Sequence, residues 1–218
     1  MMKFTCFIDA SSYVNLTQDD YYINGKSLLL LLSEKVNIRF CNEVNREISR
    51  HSNSIMPSVD KRMSKVYKLK GYKRINTYKE YENRLYDSVS NSGDKNRGER
   101  HNLAASLDFH LSKKGMTGGL IFLTDDKKAL NGLLQEVLNS FPVWKIWSSL
   151  DVILFLYLEN KHFTIDMAQS AIKDINAILA KGSSKMTRDK ITQERIRVLK
   201  EYLIRLNRVQ KIMVSTLN

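Results

Sequence analysis

Apolar and polar residues follow two rhythms along this chain. Short apolar runs at 3–8, 36–41, 120–123 and 142–147 have the length of strands. Between and after them, apolar residues recur at helical spacing. A Leu-rich segment at 26–34 reads as a buried helix, and Val44 and Ile48 form an i,i+4 seam on the next one. Leu103, Leu107 and Leu111 repeat that spacing in a helix over 99–112. Helices are also expected at 127–139 and 150–158, the latter packed all round. Residues 10–23 turn into a short helix with Ser11, Ser12 or Thr17 as possible caps, and Asn42 is placed to cap the helix carrying Val44.

Strands that alternate with helices and are themselves almost continuously apolar predict a parallel sheet covered on both faces. The fold class is therefore α/β, a parallel central sheet flanked by helices. Two amphipathic helices, at 164–180 and 188–213, follow as a C-terminal hairpin joined through Lys-Gly-Ser-Ser. Ile191, Ile196, Val198, Leu199, Leu203, Leu206 and Val209 give the last one a broad stripe, suited to a regulatory protein partner or a second copy of the chain. The expected division is a domain at 1–160 and a helical extension at 161–218.

Residues 51–98 break the rhythm. Lys61, Arg62, Lys65, Lys68, Lys70, Lys73 and Arg74 occur there with no acid between them, interleaved with tyrosines. Such an insert suits a phosphate backbone, with tyrosines stacking on unpaired bases; a solvated helical surface explains it equally well. The whole chain of 218 residues has a formal charge of +12, which favours a polyanionic partner. Its apolar share of 43% is that of a globular protein. Cys6 and Cys41 lie in or beside apolar runs, without zinc-finger spacing, and read as small buried residues of a cytoplasmic protein. No leader is expected, and no apolar run approaches the roughly 20 residues that a membrane-spanning helix needs.

Against this basic background, four acids stand at strand ends and helix starts: Asp9, Glu47, Glu99 and Asp126. In an open α/β sheet the ligand crevice lies outside the carboxyl ends of the strands, where such residues can meet. Clustered carboxylates with a divalent ion between them hydrolyse phosphodiesters, and Mg²⁺ or Mn²⁺ prefers such hard oxygen donors. Each acid also has a plainer explanation. Asp9 can serve a turn, Glu99 can answer a helix dipole, and Asp125 with Asp126 can cap a helix. Glu43 lies one turn before Glu47 and is the alternative acid there. The four histidines form no ligand pair.

Taken in order, these segments resemble the PIN-domain nucleases. The resemblance rests on Phe-Ile-Asp9-Ala-Ser-Ser, on Asn-Glu-Val-Asn-Arg-Glu47-Ile, on Gly98-Glu99 before Asn-Leu-Ala-Ala-Ser-Leu, and on Ile-Phe-Leu-Thr124-Asp125-Asp126-Lys-Lys-Ala. It extends through Val-Trp-Lys-Ile-Trp-Ser-Ser-Leu-Asp-Val-Ile-Leu and spans roughly residues 3–158. It implies a PIN-like sheet and a Mg²⁺- or Mn²⁺-dependent nuclease, more often acting on RNA than on DNA. Asp9, Glu47, Glu99 and Asp126 would be the catalytic, metal-binding acids, with Asp125 as an addition. Ser11 and Thr124 would support them by hydrogen bonds. Small members of that family serve as toxins of toxin–antitoxin modules, and others in RNA processing or defence. The basic insert and the C-terminal helices depart from the small toxins. The alternatives are a DNA nuclease of the same fold and a non-catalytic module binding nucleic acid or protein.

Overall fold

Four apolar runs and one two-residue segment become the strands of a single parallel sheet. In the computed structural model the described residues are 4–17, 25–55, 65–66, 97–111, 119–126, 144–181 and 188–215. The strands are β1 (Thr5–Ile8), β2 (Asn37–Phe40), β3 (Lys65–Val66), β4 (Leu120–Leu123) and β5 (Trp144–Trp147). They lie in the order β3-β2-β1-β4-β5, with every neighbouring pair parallel. β1 and β4 are buried along their whole length, as expected of central parallel strands with helices on both faces.

The helices are α1 (Ala10–Leu16), α2 (Leu28–Lys35), α3 (Asn42–Ile55), α4 (Arg97–Leu111), α5 (Ser149–Glu159), α6 (Ile165–Lys181) and α7 (Arg188–Ser215). Their starts show how local chemistry sets the boundaries. The cap of α1 is Asp9, whose side chain accepts from the Ser12 amide, rather than Ser11, Ser12 or Thr17. The strand-end carboxylate reaches that amide first, and Thr17 instead closes the far end, donating to the Tyr13 carbonyl. Helix α3 begins one residue early, with the Cys41 carbonyl accepting from the Asn45 amide and Asn42 already inside the helix. Ser148 and Asp151 form a capping box at the start of α5, satisfying two donors that the first turn leaves without helical partners.

The core runs through β1, β4 and the inward faces of α1, α2, α3, α4 and α5, and continues into the C-terminal helices. Ala168, Ala171, Ile172 and Ile175 of α6 belong to it, as does Leu206 of α7. The extension expected at 161–218 thus shares one core with the sheet. Helix α5 buries Leu150, Val152, Ile153 and Leu156, but Leu158 is exposed, so it is not packed all round. Cys6 and Cys41 are free and buried, and burial pushes both thiols up, Cys41 to about 11. No helix among the described residues is long and apolar enough to cross a membrane. The helix expected at 127–139 lies outside the described residues. So does most of the basic insert, of which Lys65 falls on β3.

Candidate active site

The chain winds from β1 to β2 on one side and returns to β4 on the other, so the direction of winding reverses between β1 and β4. Crevices for ligands open at such a reversal, outside the carboxyl ends of the strands. Asp9 follows β1 directly, and Thr124-Asp125-Asp126 follow β4. Pairing continues past the strands, because the Asp9 amide donates to the Leu123 carbonyl at 3.0 Å and the Thr124 amide to that of Trp147 at 2.9 Å. This ladder sets Asp9 beside Thr124.

Asp9 is only 2% exposed and is held from several directions. Its Oδ1 accepts from the Ser12 amide at 2.7 Å, and its Oδ2 accepts from the Ser11 hydroxyl at 3.0 Å and from the Thr124 hydroxyl. Thr124 in turn accepts from the Asp126 amide at 3.1 Å, so one hydroxyl connects the two acids. The two residues expected to support the site, Ser11 and Thr124, are therefore both hydrogen-bonded to Asp9. Even so, burial pushes the Asp9 carboxyl up to about 6, more than these hydrogen bonds lower it, and the nearby Asp125 charge adds to the rise.

Glu47 reaches the same edge from α3. Its carboxyl is also pushed up, first by burial, then by the charge of Asp9 and then by Glu43. The Gly98 amide, in the first turn of α4, donates to it and counters the rise, as does Arg50. Gly98 is glycine for a visible reason: a Cβ there would lie 2.5 Å from both Glu47 carboxylate oxygens. Glu99, next in that turn, is part-exposed. Glu43, the alternative acid, instead forms an ion pair with Arg46 at 2.7 Å.

Asp125, expected as an additional ligand, turns toward the neighbouring helices. Its Oδ1 accepts from the Ser149 amide at 2.8 Å, and its Oδ2 accepts from the Ser149 hydroxyl at 2.5 Å and from Asn15 at 2.9 Å. It ties α1 to the start of α5. With Asp125 drawn aside and Glu47 seated on Gly98, no three His, Cys, Asp or Glu side chains among the described residues converge to hold an ion.

One important residue has no role in the sequence reading. Asn102, fully buried in α4, accepts from the Cys41 amide at 3.2 Å and donates to the Ile8 carbonyl at 3.0 Å. It clamps the carboxyl ends of β1 and β2, the two elements that deliver Asp9 and Glu47. Its place one turn after Glu99, on the same helix face, was the available signal. No family model, no curated protein and no solved structure matches this chain.

Proposed function

We propose that this chain is a metal-dependent nuclease of the PIN type, hydrolysing phosphodiester bonds in nucleic acid, RNA in preference to DNA. The reading is carried by one observation: acids following adjacent strands flank the reversal of winding, and the charge of Asp9 raises the proton affinity of Glu47, which reaches the same edge. A buried Asp9 with part-buried acids around it is a set of hard oxygen donors whose charge a divalent cation relieves. The donor set therefore fits Mg²⁺ or Mn²⁺ in kind. Asp9, Glu47, Glu99 and Asp126 would hold it. When bound, such an ion activates water and stabilises charge on the phosphate.

The remaining work falls to this chain's own groups. Ser11, Thr124 and the Ser12 amide fix the plane of the Asp9 carboxylate. The Gly98 amide orients Glu47, and Asn102 keeps the two strand ends in register. Asp125 positions α1 against α5. Cationic side chains, consistent with the formal charge of +12, hold the backbone of the substrate.

A labelled RNA oligonucleotide incubated with purified protein should be cut with Mn²⁺ and left intact in EDTA. Asp126→Asn should reduce cleavage by about 10² or more, the scale of losing a group that stabilises transition-state charge. Gly98→Ala tests the site apart from the fold. The new methyl displaces the end of a flexible side chain, and alanine is favoured over glycine in a helix by about 1 kcal/mol. Thermal stability should hold or rise while cleavage drops about tenfold or more. Wild-type cleavage by both variants would sink the proposal. The second reading is a non-catalytic binding module of the same fold. Calorimetric titration with Mn²⁺ separates them, because a module without a site gives no heat that depends on Asp9 or Glu47.

A further inference from the structure

The outward face of α7 carries a row of cations that neither the core nor the candidate site uses. At about 100° per residue, Lys190, Arg197, Lys200, Arg208 and Lys211 fall on the side opposite Leu206, spread over about 30 Å of helix. Leu206 is fully buried, and Val198, Leu199 and Tyr202 pack beside it, which fixes the orientation of the helix. All five cations are exposed. The acids on or beside this side are Asp189, Glu194 and Glu201, of which Glu194 is answered by Arg197 at 2.8 Å and Glu201 by Arg205 at 2.5 Å, so the five cations still outnumber them. Lys190, Lys200, Arg208 and Lys211 therefore carry the net charge of the face. Arg197, Lys200, Ile204, Arg205 and Arg208, with the ion-paired Glu201, also line a shallow depression along it.

We infer that this face of α7 is a binding surface for the phosphate backbone of nucleic acid, carried by residues outside the basic insert. A linear row of cations with one sign of net charge complements a linear polyanion. A bilayer surface fits less well. An interfacial helix inserts a broad apolar face, whereas the packed stripe of α7 is spent on its own domain and its exposed apolar residues, Ile196, Ile204, Ile212 and Val214, are interspersed with the cations. The inference does not depend on cleavage.

Fluorescence anisotropy with a labelled 20-nucleotide RNA, in EDTA and between 50 and 200 mM salt, tests it. The triple variant Lys200→Glu, Arg208→Glu, Lys211→Glu should bind at least about tenfold more weakly. Its salt slope should fall by about 2, from roughly 0.7 per lost phosphate contact on a single strand. The charge-matched control Lys145→Glu, Lys161→Glu, Lys173→Glu changes exposed lysines elsewhere and should retain most of the affinity. A triple Gln variant of the α7 positions, expected to lose about half as much binding free energy, removes charge without adding any. Wild-type affinity and slope in the α7 variants, or equal losses in the control, would overturn the inference. So would an acidic peptide that displaces the RNA at equal charge concentration.

Discussion

Asp9→Asn is expected to make the protein more stable in EDTA at pH 7.5 while lowering Mn²⁺-dependent cleavage by about 10³-fold. The two effects share one cause. The Asp9 carboxyl rises from 3.8 to about 6 because it is buried, so the folded chain binds that proton more tightly than the unfolded chain does. The stability this provides is complete below about pH 4 and is lost as pH rises through about 6. At pH 7.5 the ionised group therefore opposes folding, by an amount on the order of 2–3 kcal/mol. Asparagine removes the charge and keeps the cap, since its oxygen still accepts from the Ser12 amide. The Ser11 and Thr124 hydroxyls can turn to accept from the new amide. After that rearrangement, a net gain of about 1–2 kcal/mol corresponds to a melting temperature higher by about 2–8 °C for a chain of this size.

Thermal melts across pH give the diagnostic curve. The gap between variant and wild type should be small at pH 5, widen through pH 6 and become constant above about pH 7. Glu47, raised for related reasons, contributes in the same direction. Mn²⁺ should reverse the order at pH 7.5 by stabilising the wild type alone. A variant less stable than wild type at every pH would show that Asp9 acts as an ordinary cap, and full cleavage by it would remove Asp9 from the chemistry.

Asp9 also shows how much of the site the sequence carries. An apolar run that stops at an acid marks both a strand end and a candidate ligand, and the run at 120–123 coincides with β4. Periodicity does not reveal which of two adjacent acids turns which way. Asp125 is drawn to Ser149, 24 residues later, by a contact that only the folded chain creates. Asn102 escapes for the same reason. A polar residue in a helix scores as solvent-facing, although this one is fully buried and holds two strand ends together. Gly98 is explained only by Glu47 lying across it, a contact between α3 and α4 that no local pattern encodes.

Leu206→Ala is expected to destabilise the protein by about 2–5 kcal/mol, while Ile204→Ala, two residues away, should cost under about 0.5 kcal/mol. In sequence both belong to an apolar helix at the end of the chain. In the structure Leu206 is 0% exposed and Ile204 is 52% exposed. The stripe that suits a partner is in good part used within the chain, through Val198, Leu199, Tyr202 and Leu206. Polar contacts fix the same docking. The Tyr202 hydroxyl donates to Asp151 at 3.1 Å and meets Ser148 at 3.2 Å, while Arg205 lies 3.6 Å from Asp151. Burial and the Asp151 charge push the Tyr202 phenol up to about 12, so it stays protonated and able to donate. Ser148 and Asp151 cap α5, and the next residue, Ser149, holds Asp125 beside the candidate site. Loosening α7 should therefore reach the site through the start of α5. At a temperature where Leu206→Ala remains folded, its cleavage should fall more than its melting curve explains, and Tyr202→Phe should reproduce part of that loss. Equal stability of the Leu206 and Ile204 variants would instead mean that α7 rests on the domain without sharing its core.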